Sequence, residues 1–120
     1  MVGADEVRRL ALALVGVTDD SEPDRLRLSV AGKGIVWTYF ERVEPKKPRR
    51  ARPDVVAVRC PIEKKEMLIE AAPDIYFDDD HYRGFPAVLV RLAAIEADEL
   101  DQLMRGAWSI QAPKRPQARS

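Results

Sequence analysis

Apolar and polar positions follow two different rhythms along this chain, and the switches between them mark the predicted elements. Between Asp5 and Val15, the residues Val7, Leu10, Ala11 and Leu14 recur at the spacing of one helical face. Asp5 and Glu6 stand near the start, where carboxylates favour the helix dipole, and Gly16 predicts the stop. Thr18 to Asp24 reads as a polar loop containing Pro23. From Arg25 the period becomes two, with Leu26, Leu28 and Val30 on one side and Arg25, Arg27 and Ser29 on the other. That alternation predicts a half-buried strand. Ala31-Gly32-Lys33-Gly34 supplies turn residues, and the β-branched and aromatic run from Ile35 to Phe40 predicts the returning strand of a hairpin.

The stretch from Val43 to Asp54 carries Pro45, Pro48 and Pro53, which argue against a central strand or a helix there. Val55 to Arg59 reads as a third strand, so the proline-rich stretch becomes the long tip of a second hairpin. Pro61 to Ala72 predicts a helix with proline in its first turn and a modest apolar face of Leu68, Ala71 and Ala72. Pro73-Asp74 ends it. Ile75-Tyr76-Phe77 is a short strand, Asp78 to Asp80 an acidic loop, and Ala87 to Leu92 a buried strand. Asp98 to Ile110 places Leu100, Leu103, Met104, Ala107 and Trp108 on one stripe of a closing helix. The order α-β-β-β-α-β-β-α predicts an α+β fold: two layers, with a mainly antiparallel five-stranded sheet and helices on one face. The 120 residues suit a single domain over 1–112, with 113–120 as a basic C-terminal tail.

Composition narrows the classes of function. With 46% hydrophobic and 33% charged residues, the chain is not broadly disordered. No apolar run approaches the ~20 residues of a membrane span, and the acidic amphipathic start does not resemble a signal peptide. The expectation is a cytoplasmic protein with no membrane partner. A single cysteine, Cys60, excludes an internal disulfide and any multi-thiolate metal site. Net charge is zero but unevenly spread. Arg42, Lys46, Lys47, Arg49, Arg50 and Arg52 face one acid, Glu44, within eleven residues. Lys114, Arg115 and Arg119 add a second basic stretch without any acid.

The basic hairpin tip is the most informative feature, because an extended cationic loop can follow a nucleic-acid backbone and neutralise phosphates. The plainer alternative is a loop kept soluble by its charges. His81-Tyr82, after three aspartates, could serve as an acid or base or hold a hard metal ion. No partner nucleophile and no EF-hand spacing accompany it, so packing at a loop edge is the preferred reading. Gly32-Lys33-Gly34 lacks the full phosphate-loop spacing and reads as a turn. Cys60 reads as a small buried hydrophobe and Trp108 as a core anchor. Trp37 with Tyr39 could either offer a stacking surface or fill the core.

A set of weak motifs in one order adds a resemblance. Ala11-Leu12-Ala13-Leu14 leads to Gly16-Val17, and Val30 precedes Gly32-Lys33. Then come Ala71-Ala72-Pro73-Asp74 before Phe77, His81-Tyr82-x-Gly84, Ala87-Val88-Leu89-Val90-Arg91-Leu92, Asp98-Glu99-Leu100, and Ala107-Trp108 before Ala112-Pro113-Lys114. Over roughly residues 5 to 115 the chain resembles the MmcQ/YjbR-like proteins. That resemblance implies an α+β fold related to CyaY-like and secretion-chaperone-like architectures, and a "double-wing" DNA-binding role. Carried over by position, its motif residues are Lys33, His81, Tyr82, Gly84, Trp108 and Lys114, none of them an established catalytic residue. Two departures stand out. Asp19 to Asp24 is acidic where many members carry aromatics or histidine, and the basic stretch from Lys46 to Arg52 is longer than in the shorter members.

The expectation is therefore a non-enzymatic DNA-binding protein without cofactor or metal. Arg42, Lys46, Lys47, Arg49, Arg50, Arg52, Lys114 and Arg115 would contact phosphates. A protein-interaction adaptor, using the exposed sheet face or the Asp78–Asp80 surface, is the first alternative, and a small-ligand or metal-binding protein using His81 the second. An uncovered sheet edge would also allow two copies to pair.

Overall fold

Six antiparallel strands form one sheet with three helices behind it, in a computed structural model that describes residues 2–42 and 45–113. The elements are α1 (Ala4–Leu12), β1 (Val17–Asp19), β2 (Arg27–Val30), β3 (Lys33–Glu41), β4 (Arg50–Arg59), α2 (Ile62–Ala71), β5 (Tyr76–Phe77), β6 (Ala87–Arg91) and α3 (Ala97–Gln111). Across the sheet the order is β1-β2-β3-β4-β6-β5. The α+β class, the two layers and the helices on one face follow the sequence reading. The strand count does not.

The extra strand is β1. Val17–Asp19 pairs with Leu28–Val30 at the sheet edge, where the sequence reads as loop. An edge strand needs one ladder of hydrogen bonds and little buried side chain, so its polar Thr18 and Asp19 leave no alternation to detect. The second correction concerns β4, which begins at Arg50 and passes through Pro53 although it lies in the middle of the sheet. Thr38 pairs with Val56 but Tyr39 pairs with Arg52, so Pro53, Asp54 and Val55 stand outside the β3–β4 register as a bulge. A proline is tolerated there because no ladder bond is asked of its missing N–H. The second hairpin is thus longer in strand and shorter in tip than the prolines suggest. Val43, Glu44, Lys114 and Arg115 lie outside the described residues.

The first hairpin closes in two residues. Val30 pairs with Lys33, and Ala31 (φ 52°) and Gly32 (φ 78°) both take left-handed backbone. Two positive φ values match the right-handed twist of the flanking strands, but the conformation disfavours alanine.

Strand alternation sorts the side chains onto two unlike faces. Leu28, Val30, Val36, Val56, Val58, Val88 and Val90 point to the helices and meet Val7 and Ala11 of α1 and Leu100, Leu103, Met104 and Ala107 of α3. Cys60 is buried in this core, and burial pushes its thiol pKa up. From α2, Leu68 and Ile69 reach the same core, whereas Ala71 is exposed. The other face carries Trp37, Tyr39, Val55, Ala57, Leu89 and Phe77. None of the described helices covers it; the segment 78–86 folds over it and inserts Tyr82.

Lys65 of α2 holds that segment. It is 2% exposed, and its Nζ donates to Tyr82 O at 2.7 Å and Phe85 O at 3.0 Å and pairs with Asp78 Oδ1 at 3.0 Å. Three acceptors match the three donors of the ammonium group. Lys65→Met keeps the apolar stem but strands two carbonyls and a carboxylate. It is expected to cost about 3 kcal/mol in urea unfolding. In the opposite direction, Ala31→Asn creates an Asn-Gly turn and should add about 0.5–1 kcal/mol in the same measurement.

Candidate functional site: the open sheet face and the basic hairpin

The aromatic face is assembled around one carboxylate. Asp79 Oδ2 accepts from Tyr39 Oη at 2.5 Å, and its Oδ1 accepts from the Tyr82 amide at 2.8 Å. Tyr82 Oη in turn accepts from Trp37 Nε1 at 3.0 Å. Gly84 (φ 77°) takes the left-handed turn that lets Phe85 fold back, its amide donating to Tyr82 O at 2.9 Å. His81, Tyr82 and Phe85 then form a ring ladder, with centroids 5.2 Å and 5.8 Å apart. The Arg59 guanidinium lies over Phe85 and that of Arg91 over Phe77.

The three aspartates that read as one acidic loop therefore do separate work. Asp78 pairs with buried Lys65, Asp79 holds two tyrosines, and Asp80 forms an exposed pair with Arg83 at 2.8 Å. Among the described residues, no group of three His, Cys, Asp or Glu side chains could hold a metal ion. None of the described helices is long and apolar enough to cross a membrane.

Beside Tyr82 the sheet face opens into a cleft of about 400 Å³. Trp37, Phe40 and Tyr82 supply its aromatic lining, and Arg25, Arg27, Arg49 and His81 its basic groups. Asp20 and Glu22 stand among them. A second hollow of about 260 Å³ lies alongside, lined by Tyr39, Glu41, Arg42, Asp79 and Asp80. Arg49 and His81 line both and so form the partition. Arg27 faces the cleft because it pairs with Trp37 across β2 and β3, on the side away from the helices.

The basic hairpin divides in two. Arg52 is held by Glu41 at 2.8 Å and by both oxygens of Asp54. These bonds hold the Arg52 pKa above its usual value and the Asp54 carboxyl below its own. Arg42 Nη1 donates to Pro45 O and Lys47 O at 2.8 and 2.9 Å, closing the tip on itself. Arg49 turns inward and donates from Nη1 to Phe40 O at 2.9 Å. Lys46, Lys47 and Arg50 are exposed, as is the Arg42 side chain. The basic charge of the hairpin is thus trimmed at Arg52, by Asp54 two residues on and by Glu41 across the strand pair.

Of the other motif residues, only His81, Tyr82 and Gly84 belong to this region. Lys33 starts β3, about 26 Å along the strand from its far end at a rise of ~3.3 Å per residue. Trp108 packs on the helix side and donates to Val15 O at 2.7 Å. The sequence reading singles out Asp79 only as part of the acidic Asp78–Asp80 surface, and it names none of Arg25, Arg27, Phe40 and Lys65 as site residues. The polar side of the Arg25–Val30 alternation held the signal for Arg25 and Arg27, because outward side chains of one strand share a face with those of the next.

The backbone arrangement has a counterpart among solved structures. Deinococcus radiodurans protein DR2400, a DUF419 domain, superposes with a TM-score of 0.67, covering 92% of this chain and 78% of that one. The fold resembles that of a DUF419 protein. Identity is 20%, so the likeness is one of fold. In sequence, 63 residues are 49% identical to the uncharacterised proteins Rv2570 of Mycobacterium tuberculosis and Mb2600 of Mycobacterium bovis. That match takes in 52% of this chain, and the chain spans about half the length of these relatives. No family model matches the chain.

All three tyrosines have raised pKa values: burial is the main cause for each, reinforced by Asp79 at Tyr39 and by Glu99 at Tyr76. Below the unfolded value of about 10 their contribution to stability is fully present, and it is lost as pH rises beyond it. Absorbance at the phenolate band should therefore stay flat near pH 10 and rise only with cooperative unfolding. A tyrosine that ionised reversibly at about pH 10 in the folded protein would contradict the geometry of this face.

Proposed function

We propose that the protein binds nucleic acid without catalysing a reaction, with the tip of the β3–β4 hairpin set against the phosphate backbone. One observation carries this reading: Arg42, Lys46, Lys47 and Arg50 are all exposed at the end of one hairpin, while Glu41 and Asp54 are taken up by Arg52. The segregation leaves a cationic end on a chain of zero net charge, and such an end attracts polyanions through counterion release. DUF419 corresponds to the MmcQ/YjbR-like proteins, so the fold of the Deinococcus protein supports the resemblance seen in the motifs; the DNA-binding role is what that resemblance implies. On this reading the protein works in the cytoplasm, DNA is its partner, and Lys114 and Arg115 add contacts from the tail.

Anisotropy of a labelled random-sequence duplex at several salt concentrations tests it. About four neutralised phosphates give a slope of log K against log salt near −4. Lys46→Ala, Lys47→Ala and Arg50→Ala combined should flatten the slope by about 3 and weaken binding at least tenfold, with an unchanged melting temperature. No binding at low salt, or wild-type affinity in the triple variant, would overturn the proposal.

A further inference from the structure

We infer that the cleft beside Tyr82 takes one nucleotide unit, with an unstacked base against its aromatic lining and the phosphate at the Arg49–His81 partition. The inference deepens the nucleic-acid reading and rests on it for the class of ligand, but it concerns a different surface from the hairpin tip. Its size comes first: about 400 Å³ falls within the ~300–1,000 Å³ of small-ligand sites. Its lining comes second. Trp37 is half-buried, and its indole packs over the Gly34 backbone while Nε1 is tied to Tyr82 Oη, so the ring is held in place. A preorganised aromatic ring is the ordinary platform for a base, since every base offers a π-face.

Charge fixes where the phosphate goes. Arg49 spends Nη1 on Phe40 O, and its Nε and Nη2 have no hydrogen-bond partner among the described residues. Those two donors form the side of the guanidinium fork that suits a phosphate. His81 is exposed on the same partition and can donate as well. The carboxylates on the far side of that partition are already engaged: Asp79 by Tyr39 and the Tyr82 amide, Asp80 by Arg83, and Glu41 by Arg52. Asp20 and Glu22 also line the cleft and offer acceptors suited to the amino groups on a base edge, Glu22 while paired with Arg25 at 3.5 Å. A base with a phosphate attached uses both the donors and the acceptors of this lining; a bare anion uses only the donors.

The ligand could be a free mononucleotide or one residue of a single strand. Titrations of the full chain with adenosine 5′-monophosphate, with a single-stranded oligonucleotide and with a duplex of equal length separate these sources. Indole emission reads the cleft, and labelled-strand anisotropy reads binding. Quenching by the mononucleotide identifies a free nucleotide as sufficient; quenching by the oligonucleotide alone assigns the site to a strand. Either supports the inference when Trp37→Phe removes the quench and Arg49→Gln and His81→Gln each weaken binding severalfold. His81 is exposed, so its variant keeps the test decisive if Arg49→Gln unfolds. Binding here without duplex binding overturns the hairpin reading and leaves the cleft standing. Duplex binding with no change in indole emission, or wild-type strand affinity in both variants, overturns the cleft.

Discussion

A single ammonium group removed from water shapes the functional side of this protein. Burying a charge costs several kcal/mol unless every donor is met, and Lys65 meets two carbonyls and the Asp78 carboxylate. Both carbonyls, Tyr82 O and Phe85 O, belong to one turn, so satisfying the lysine also fixes the path of the segment across the sheet. Tyr82 enters the second core as a consequence, and Asp79 is left where it can reach Tyr39. The aromatic face therefore owes its order to a polar contact made from behind, by a helix with only a modest apolar stripe.

The two faces of the sheet differ in what they are made for. Behind it, valine and leucine interlock with three helices, a packing that needs shape and little else. In front, rings are held by hydrogen bonds, Trp37 to the Tyr82 hydroxyl and Tyr39 to Asp79, whose other oxygen accepts from the Tyr82 amide. Polar atoms on aromatic rings demand partners when buried, and this demand makes the front face directional. The cleft lies at its border, where the cover of segment 78–86 ends and the arginines of β2 and the hairpin begin. The bulge at Pro53 acts on the same region: it shifts the register so that Arg52 stands opposite Tyr39, next to the Glu41 that pairs with it.

Much of the fold was legible because its elements obey a local period. The apolar stripes of α1 and α3, the alternation of β2 and the Ala31-Gly32 turn each follow from neighbours in the chain. β1 and the early start of β4 were not, since an edge strand of polar residues and a proline relieved by a bulge depend on a partner strand. Of the site, the basic run and His81-Tyr82 were visible as types of residue. Their grouping was not: Arg49 and His81 line the same two hollows, Arg52 turns to Glu41 and Asp54, and Lys33 and Trp108 lie elsewhere.

By itself, the sequence determined the class of fold, the two rhythms that build it and the presence of a cationic hairpin. Periodicity and composition are properties of segments, and segments carry them wherever they are placed. Only the tertiary structure decided which charges cancel, which aspartate serves which partner, and that a lysine on an unremarkable helix would organise an aromatic surface. Those outcomes depend on distances between residues far apart in the chain, such as the 17 positions separating Lys65 from Tyr82, and distance in space sets the strength of every polar interaction involved.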